Sequence, residues 1–204
     1  MKLYATPTTP FGLMAKIVIH EKGLTERIEI LPATTRTQGS AYYHINPSGR
    51  VPYLVLDDGT GMEESQLICA YLDHLDGAPM FDRPAGEAGW QAWRLESLAR
   101  SLLDGLSIWG RELHRAADEQ SPTVIAHEKE RARRLLDLWD REIDHAYMNG
   151  ALNMAQITLA VALHADVRNP DFRWRDSHPK LLAWANRLAE RPSFARVLPG
   201  LATP

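Results

Sequence analysis

The sequence predicts two parts of different kind: an α/β part ordered βαβ-ββα over residues 1–77, and an all-α helical bundle over residues 87–204. Three observations predict it. Up to about residue 75, short β-rich runs alternate with helical patterns. The stretch DGAPMFDRPAG (76–86) then breaks the periodicity with two prolines and two glycines, which marks a linker at 78–86. Beyond it the strand signals stop, and apolar residues fall at three- and four-residue spacing.

Taken in order, KLYA (2–5) is short and β-compatible. From Pro10 the pattern turns helical: Leu13 and Ile17, and Met14 and Val18, each lie four apart and share a face. Gly23 ends that helix by supplying a left-handed exit. RIEIL (27–31) alternates charged and apolar residues, as a strand with one buried face does. Strand, helix, strand predicts a parallel pair. VPYLVL (51–56) is the next β-rich run; DDGTG turns the chain, and MEE returns antiparallel. Ser65 starts a helix whose buried side is expected to carry Leu67, Ile68, Tyr71, Leu72 and Leu75. In the second part, Leu95, Leu98, Leu102, Leu106, Trp109 and Leu113 mark one long helix, and Ala132, Leu135, Trp139, Ile143 and Ala146 another. Asn153 and Gln156 form a capping box before an apolar helix. HPKLLAWANRLAERP supplies a final helix closed by Arg191 and Pro192. HEKERARR (127–134) mixes its charges on a helical pattern, which predicts a solvated face.

The 204 residues are 45% apolar and 24% charged, ordinary for a soluble globular protein. A net charge of −3 gives no field that would gather nucleic acid or an anionic membrane, so neither is an expected partner. The single cysteine, Cys69, cannot make an internal disulfide, a CxxC pair or a thiolate zinc site. It sits in the apolar pattern of its helix and is expected to be an inert core thiol. The opening MKLYATPTTP lacks the apolar stretch of a signal peptide, and no run approaches the roughly 20 apolar residues of a membrane span. A cytoplasmic protein without a metal is the expectation.

Three segments could carry chemistry at one edge of the predicted sheet. In TTPF, Pro10 suits the first helical turn, which makes Thr9 the natural N-cap, its oxygen accepting from the N–H near Gly12. A hydroxyl that accepts still has a hydrogen to donate, and an anion near the positive end of the helix would receive it. In GRVPYL, the Val51–Pro52 step is either a plain strand entry or a cis peptide that aims the Val51 N–H and C=O at an extended peptide ligand. In EES, Ser65 either caps the helix or, with that helix N-terminus, binds a carboxylate while Glu64 neutralises an ammonium group. An α-amino acid end carries both groups on one carbon.

The run NPSGRVPYLVLDDGTGMEESQLICAYLDHL (46–75) closely resembles the glutathione-binding half of the cytosolic glutathione S-transferases. Those proteins carry N-P-x-G-K/R-V-P, a D-D/G turn, then E/Q-S and an I-x-x-Y-L helix. Here Asn46, Pro47, Gly49, Arg50, Val51, Pro52, Glu64, Ser65, Ile68, Tyr71 and Leu72 match. TPF with AKI after it resembles the family's S/C-P-F…V-R start, and RLAERPSFARVLP its final helix.

The resemblance implies a thioredoxin-like domain joined to an all-helical one, with glutathione as co-substrate. By carry-over, Ser65 and its helix hold the γ-glutamyl carboxylate, Glu64 meets the α-ammonium, Val51 pairs with the cysteinyl backbone, Pro52 is cis and Arg50 approaches an anionic end of the ligand. Thr9 falls where the family places a serine or cysteine beside the thiol. A free thiol has a pKa near ~8.5, so only a few per cent is thiolate at neutral pH, and a hydroxyl donor at a helix N-terminus favours the anion. The thiolate then attacks a small hydrophobic electrophile or a peroxide, in a pocket that Phe11, Leu106 and Trp109 could line. Detoxification and a homodimer are implied by the same likeness. Threonine is stiffer at χ1 than the family's serine, which keeps open a second reading: a glutathione-binding or interaction module with the transferase fold and little activity.

Overall fold

The computed structural model describes residues 1–202; the last two positions of the range 87–204 lie outside the described residues. The chain divides into two compact units, Met1–Asp82 and a helical unit from Arg83 onward. The first holds β1 (Lys2–Ala5), α1 (Pro10–Glu21), β2 (Glu29–Pro32), β3 (Tyr53–Val55), β4 (Gly61–Met62) and α2 (Ser65–His74). Its sheet has the order β2-β1-β3-β4. The β1–β2 pair is parallel, as the intervening helix requires, and β3 is antiparallel to β1 and to β4. Leu3 stands opposite Leu54 in the register, and both are wholly buried. Helices α1 and α2 pack on each other, and Met14, Ile17, Val18, Ile68 and Leu72 complete this core. Successive strand residues face opposite ways. Tyr4, one residue on from Leu3, meets the ring of Tyr42 at 5.9 Å from a 3₁₀ turn at Ala41–His44.

Local departures from the sequence reading have physical causes. The β2 ladder begins only at Glu29; Ile28 is buried in the turn before it, where its N–H donates to the Leu24 carbonyl, while Ile30 lies 42% exposed on an edge strand. Glu63 and Glu64 do not extend β4. Leu67 is 51% exposed, because the buried side of α2 runs through Ser65, Ile68, Cys69 and Leu72. Residues 78–82 are fastened to the first unit. The buried Asp73 carboxylate accepts the N–H groups of Met80 (2.8 Å) and Phe81 (2.9 Å), and Lys22, 3.5 Å from Asp73, donates to the Ala78 carbonyl.

The second unit contains α3 (Glu87–Leu113), α4 (Pro122–Glu142), α5 (Ala146–Asn149), α6 (Met154–Leu163), α7 (Pro179–Ala189) and α8 (Pro192–Val197). Helix α6 is buried on all sides from Ala155 to Leu163 and packs against α3, the pattern of a central core helix. Leu95, Leu102, Leu106 and Trp109 form the buried stripe of α3, whereas Leu113 ends exposed. On α4 the stripe is Ala132, Leu136 and Trp139; Leu135 is half-buried beside it. Ala146 is exposed and opens the separate helix α5. Half of the capping box forms: Asn153 Oδ1 accepts the Gln156 N–H at 3.1 Å, but the Gln156 amide donates to the Tyr147 carbonyl instead of reaching back. Pro192 does not merely close a final helix. It occupies the first turn of a further one, α8, where its missing N–H costs nothing. Arg133 pairs with Glu130 and Asp137 on the surface of α4, the solvated face expected there.

Candidate functional site

The strand register brings the three predicted segments to one end of the sheet. Thr9 follows the C-terminal end of β1. Val51 and Pro52 precede Tyr53, which pairs with Tyr4 near that same end. Glu63, Glu64 and Ser65 leave β4 beyond Met62, the partner of Leu54, and so emerge there too. Helices α1 and α2 therefore both begin at this end, and their N-termini add positive potential.

Thr9 occupies the N-cap position of α1 with Pro10 at the first turn, but its side chain makes no capping hydrogen bond. Its methyl lies over Gly12, where an added Cβ would approach Thr9 Cγ2 to 2.6 Å, so glycine at position 12 leaves the room that the methyl occupies. The start of α1 is served by the main chain instead: the Thr9 carbonyl accepts from Gly12 and Leu13, both at 3.0 Å. The Thr9 N–H donates to Thr6 Oγ1 at 3.1 Å. The predicted side-chain cap is thus absent, and Thr9 is half-buried at this position.

The Val51–Pro52 peptide is cis. The loop before it is built by Asn46, which is 2% exposed. Asn46 Oδ1 accepts the Ser48 N–H, and its amide donates to the Arg50 carbonyl at 3.0 Å and to Glu63 Oε2 at 3.1 Å. Gly49 takes φ +67 with the Tyr43 ring against it, where a Cβ would meet Tyr43 Cε1 at 2.8 Å. Both the left-handed backbone and the close ring demand glycine. Tyr42 donates its hydroxyl to the same Arg50 carbonyl. Among the described residues no hydrogen bond engages the main chain of Val51 itself.

Glu64, not Ser65, is the N-cap of α2, with φ +71, a left-handed backbone that a non-glycine residue seldom adopts. Its exposed carboxylate stands 3.3 Å from the Arg50 guanidinium, which is exposed as well. Ser65 is the first helical residue and is buried, 3% exposed. Arg50 is therefore aimed at Glu64 in the free chain.

The remaining candidates separate into two groups. Phe11 is half-buried in the first turn of α1. Leu106 and Trp109 belong to the core of the helical unit, 5% and 2% exposed, with Trp109 edge-on to Phe172 and under the Lys129 ammonium. In this structure both pack as core side chains of the helical unit. Cys69 is buried at 1% exposure, as expected for a core thiol. Asp73, His74 and Asp82 place ligand atoms within 4.8 Å of one another. Asp73 is already committed to two N–H groups, and His74 pairs with Asp82 at 2.7 Å, so this cluster reads as a fastening.

With this geometry in place, comparison with known proteins is decisive for the family. Residues 8–75 match the glutathione S-transferase N-terminal domain, and residues 122–187 the glutathione S-transferase C-terminal domain. An uncharacterised GST-like protein of Escherichia coli K12, YibF, is 32% identical over 203 residues, 98% of each chain. The chain belongs to the glutathione S-transferase family. Glutathione S-transferase 2 of Saccharomyces cerevisiae is 26% identical to this family member, over 97% of this chain and 89% of the yeast protein. Among solved structures, a glutathione transferase family member from Pseudomonas fluorescens Pf-5 with bound glutathione superimposes with a TM-score of 0.87 at 29% identity, over 97% of this chain and 98% of that one. The thioredoxin-like unit followed by a helical unit is thus the transferase fold. Within this transferase-family chain, the sequence reading did not find the roles of Tyr42, Ser48 and Glu63. Asn46 lay within the matched motif. Tyr42 carried no local signal at all, because its partner is a carbonyl eight residues away.

Proposed function

We propose that this chain is a glutathione transferase that holds glutathione across the end of its small sheet and presents the thiol as thiolate to a small hydrophobic electrophile or a peroxide. The observation that carries the reading is the convergence of an unengaged Val51 main chain, the Glu64–Ser65 start of α2 and a Thr9 side chain that does not cap α1 on one sheet end. The extended cysteinyl backbone pairs with Val51 beside the cis Pro52. The γ-glutamyl carboxylate takes the N-terminus of α2 at Ser65, where helix N–H groups and dipole favour an anion. Its ammonium takes Glu64, exchanging places with Arg50, which turns to an anionic end of the ligand. The thiol proton passes to solvent, and the Thr9 hydroxyl donates to the sulfur. The thiolate then forms a C–S bond as the electrophile's leaving group departs with its electron pair. With a peroxide it attacks oxygen, forming the S–O bond of a sulfenic acid as the O–O bond breaks and the alkoxide or hydroxide leaves to take a proton from solvent; a second glutathione then attacks that sulfur, forming the disulfide and releasing water.

The same reading has the protein working as a cytoplasmic homodimer in detoxification, without metal, nucleic acid or membrane. No helix among the described residues is long and apolar enough to cross a membrane. The stacked, exposed rings of Trp90 and Trp93 offer an apolar surface for pairing.

The test is a pH titration of bound glutathione by thiolate absorbance. The wild-type complex is expected to titrate about one to two pH units below the free-thiol value of ~8.5. Thr9→Ala is expected to return about one unit, ~1.4 kcal/mol, and to lower turnover more than binding. A titration unchanged in Thr9→Ala would move the donor role to a main-chain N–H. Tight binding with an unshifted thiol in the wild type would favour the binding-module reading.

A further inference from the structure

We propose that Tyr42, with Asn46 and Glu63 behind it, is a positioning device that fixes the Arg50–Val51 peptide so that the Val51 main chain meets an incoming peptide already oriented. Two independent donors converge on one acceptor, the Arg50 carbonyl: the Tyr42 hydroxyl at 2.5 Å and the Asn46 amide at 3.0 Å. A carbonyl has two lone pairs, and both are filled from the protein side. The peptide plane that begins with this carbonyl ends with the Val51 N–H, so pinning the oxygen pins the direction of the N–H. Nothing else among the described residues hydrogen-bonds Val51.

The device is braced from behind. The Glu63 carboxylate accepts from the Asn46 amide and from the Ser48 hydroxyl at 2.6 Å, and Ser48 Oγ in turn accepts the Arg50 N–H at 3.2 Å. The loop is thereby tied to the segment that leads from β4 into Glu64. Two adjacent glutamates divide the work: Glu63 faces the loop and Glu64 faces solvent. Tyr42 is 5% exposed, and burial raises its pKa, so the phenol keeps the proton it donates. The aromatic ring also packs on Tyr4 of β1, which ties the donor to the strand beside β3.

The inference rests on the glutathione reading, and the experiment separates the two. Glutathione and its depsipeptide analogue, with an ester in place of the cysteinyl–glycine amide, are titrated into wild type and Tyr42→Phe by calorimetry. The ester carbonyl is a weaker acceptor for the Val51 N–H than the amide carbonyl it replaces. Tyr42→Phe is expected to weaken glutathione binding about five- to tenfold, and the penalty of the ester to shrink in the variant by a similar factor, since the two losses share one contact. Equal ester penalties in both proteins would overturn the positioning role. In parallel, the Val51 amide is followed by ¹⁵N relaxation without ligand. Its order parameter is expected to fall from about 0.85 in the wild type toward about 0.6 in Tyr42→Phe; an unchanged value would overturn the proposal. If wild type bound no glutathione while the relaxation difference held, the glutathione reading would fail and the device would stand as a main-chain clamp for another peptide.

Discussion

Asp73→Ala is expected to lower stability by about 3–4 kcal/mol, the range for breaking a buried ion pair in which one partner keeps some compensation. The carboxylate is 2% exposed and is the acceptor for two successive main-chain N–H groups, Met80 and Phe81. Alanine leaves both donors without it, at about 1–3 kcal/mol each if no water replaces it. Lys22, whose side chain is 1% exposed, retains Asp76 at 2.9 Å and the Ala78 carbonyl, which holds the loss below the sum. Thermal unfolding should show a midpoint lower by about 6–16 °C for a chain of this size. Asp73→Asn keeps one acceptor oxygen and should lose about half as much. A midpoint within about 2 °C of wild type for Asp73→Ala would mean that residues 78–82 are not held by this carboxylate.

The second large effect concerns the ligand. Glu64→Gln should weaken glutathione binding about tenfold or more, because a charge-assisted hydrogen bond to an ammonium group contributes about 1.5–3 kcal/mol once the ligand covers it. In the free chain the carboxylate is exposed and shared with Arg50, so the substitution should leave stability within about 0.5 kcal/mol. The signature is a loss in affinity with little change in unfolding midpoint, and a weaker dependence of affinity on salt than in the wild type. Equal affinities for wild type and Glu64→Gln would detach Glu64 from the ammonium.

How far the sequence revealed all this depended on whether the signal was local. The order of strands and helices was legible because each element carries its own period, and the β1–β2 parallel pair followed from the helix between them. What failed was set by tertiary context. Ile30 has strand chemistry but sits on an edge. Leu67 is one residue off the buried stripe of α2, and Ala146 opens a helix of its own. Thr9 has the spacing of a cap, yet its side chain makes no capping bond and places its methyl over Gly12, a choice of χ1 that spacing does not reveal. Leu106 and Trp109 have helical spacing, which marks a core stripe as readily as a pocket wall, and their burial decides for the core. The outline of the proposed site at Val51, Pro52, Glu64 and Ser65 came from the motif. Its support at Tyr42 and Glu63 was not, because those bonds cross eight and 17 residues of chain.

The central proposal is that one end of the four-stranded sheet grips glutathione. Calorimetric titration of the wild-type chain with reduced glutathione tests that most directly. A saturable isotherm is expected, with a Kd between about 1 μM and about 1 mM, equivalent to roughly −8 to −4 kcal/mol. Heats no larger than dilution up to about 10 mM ligand, well above that range, would contradict it.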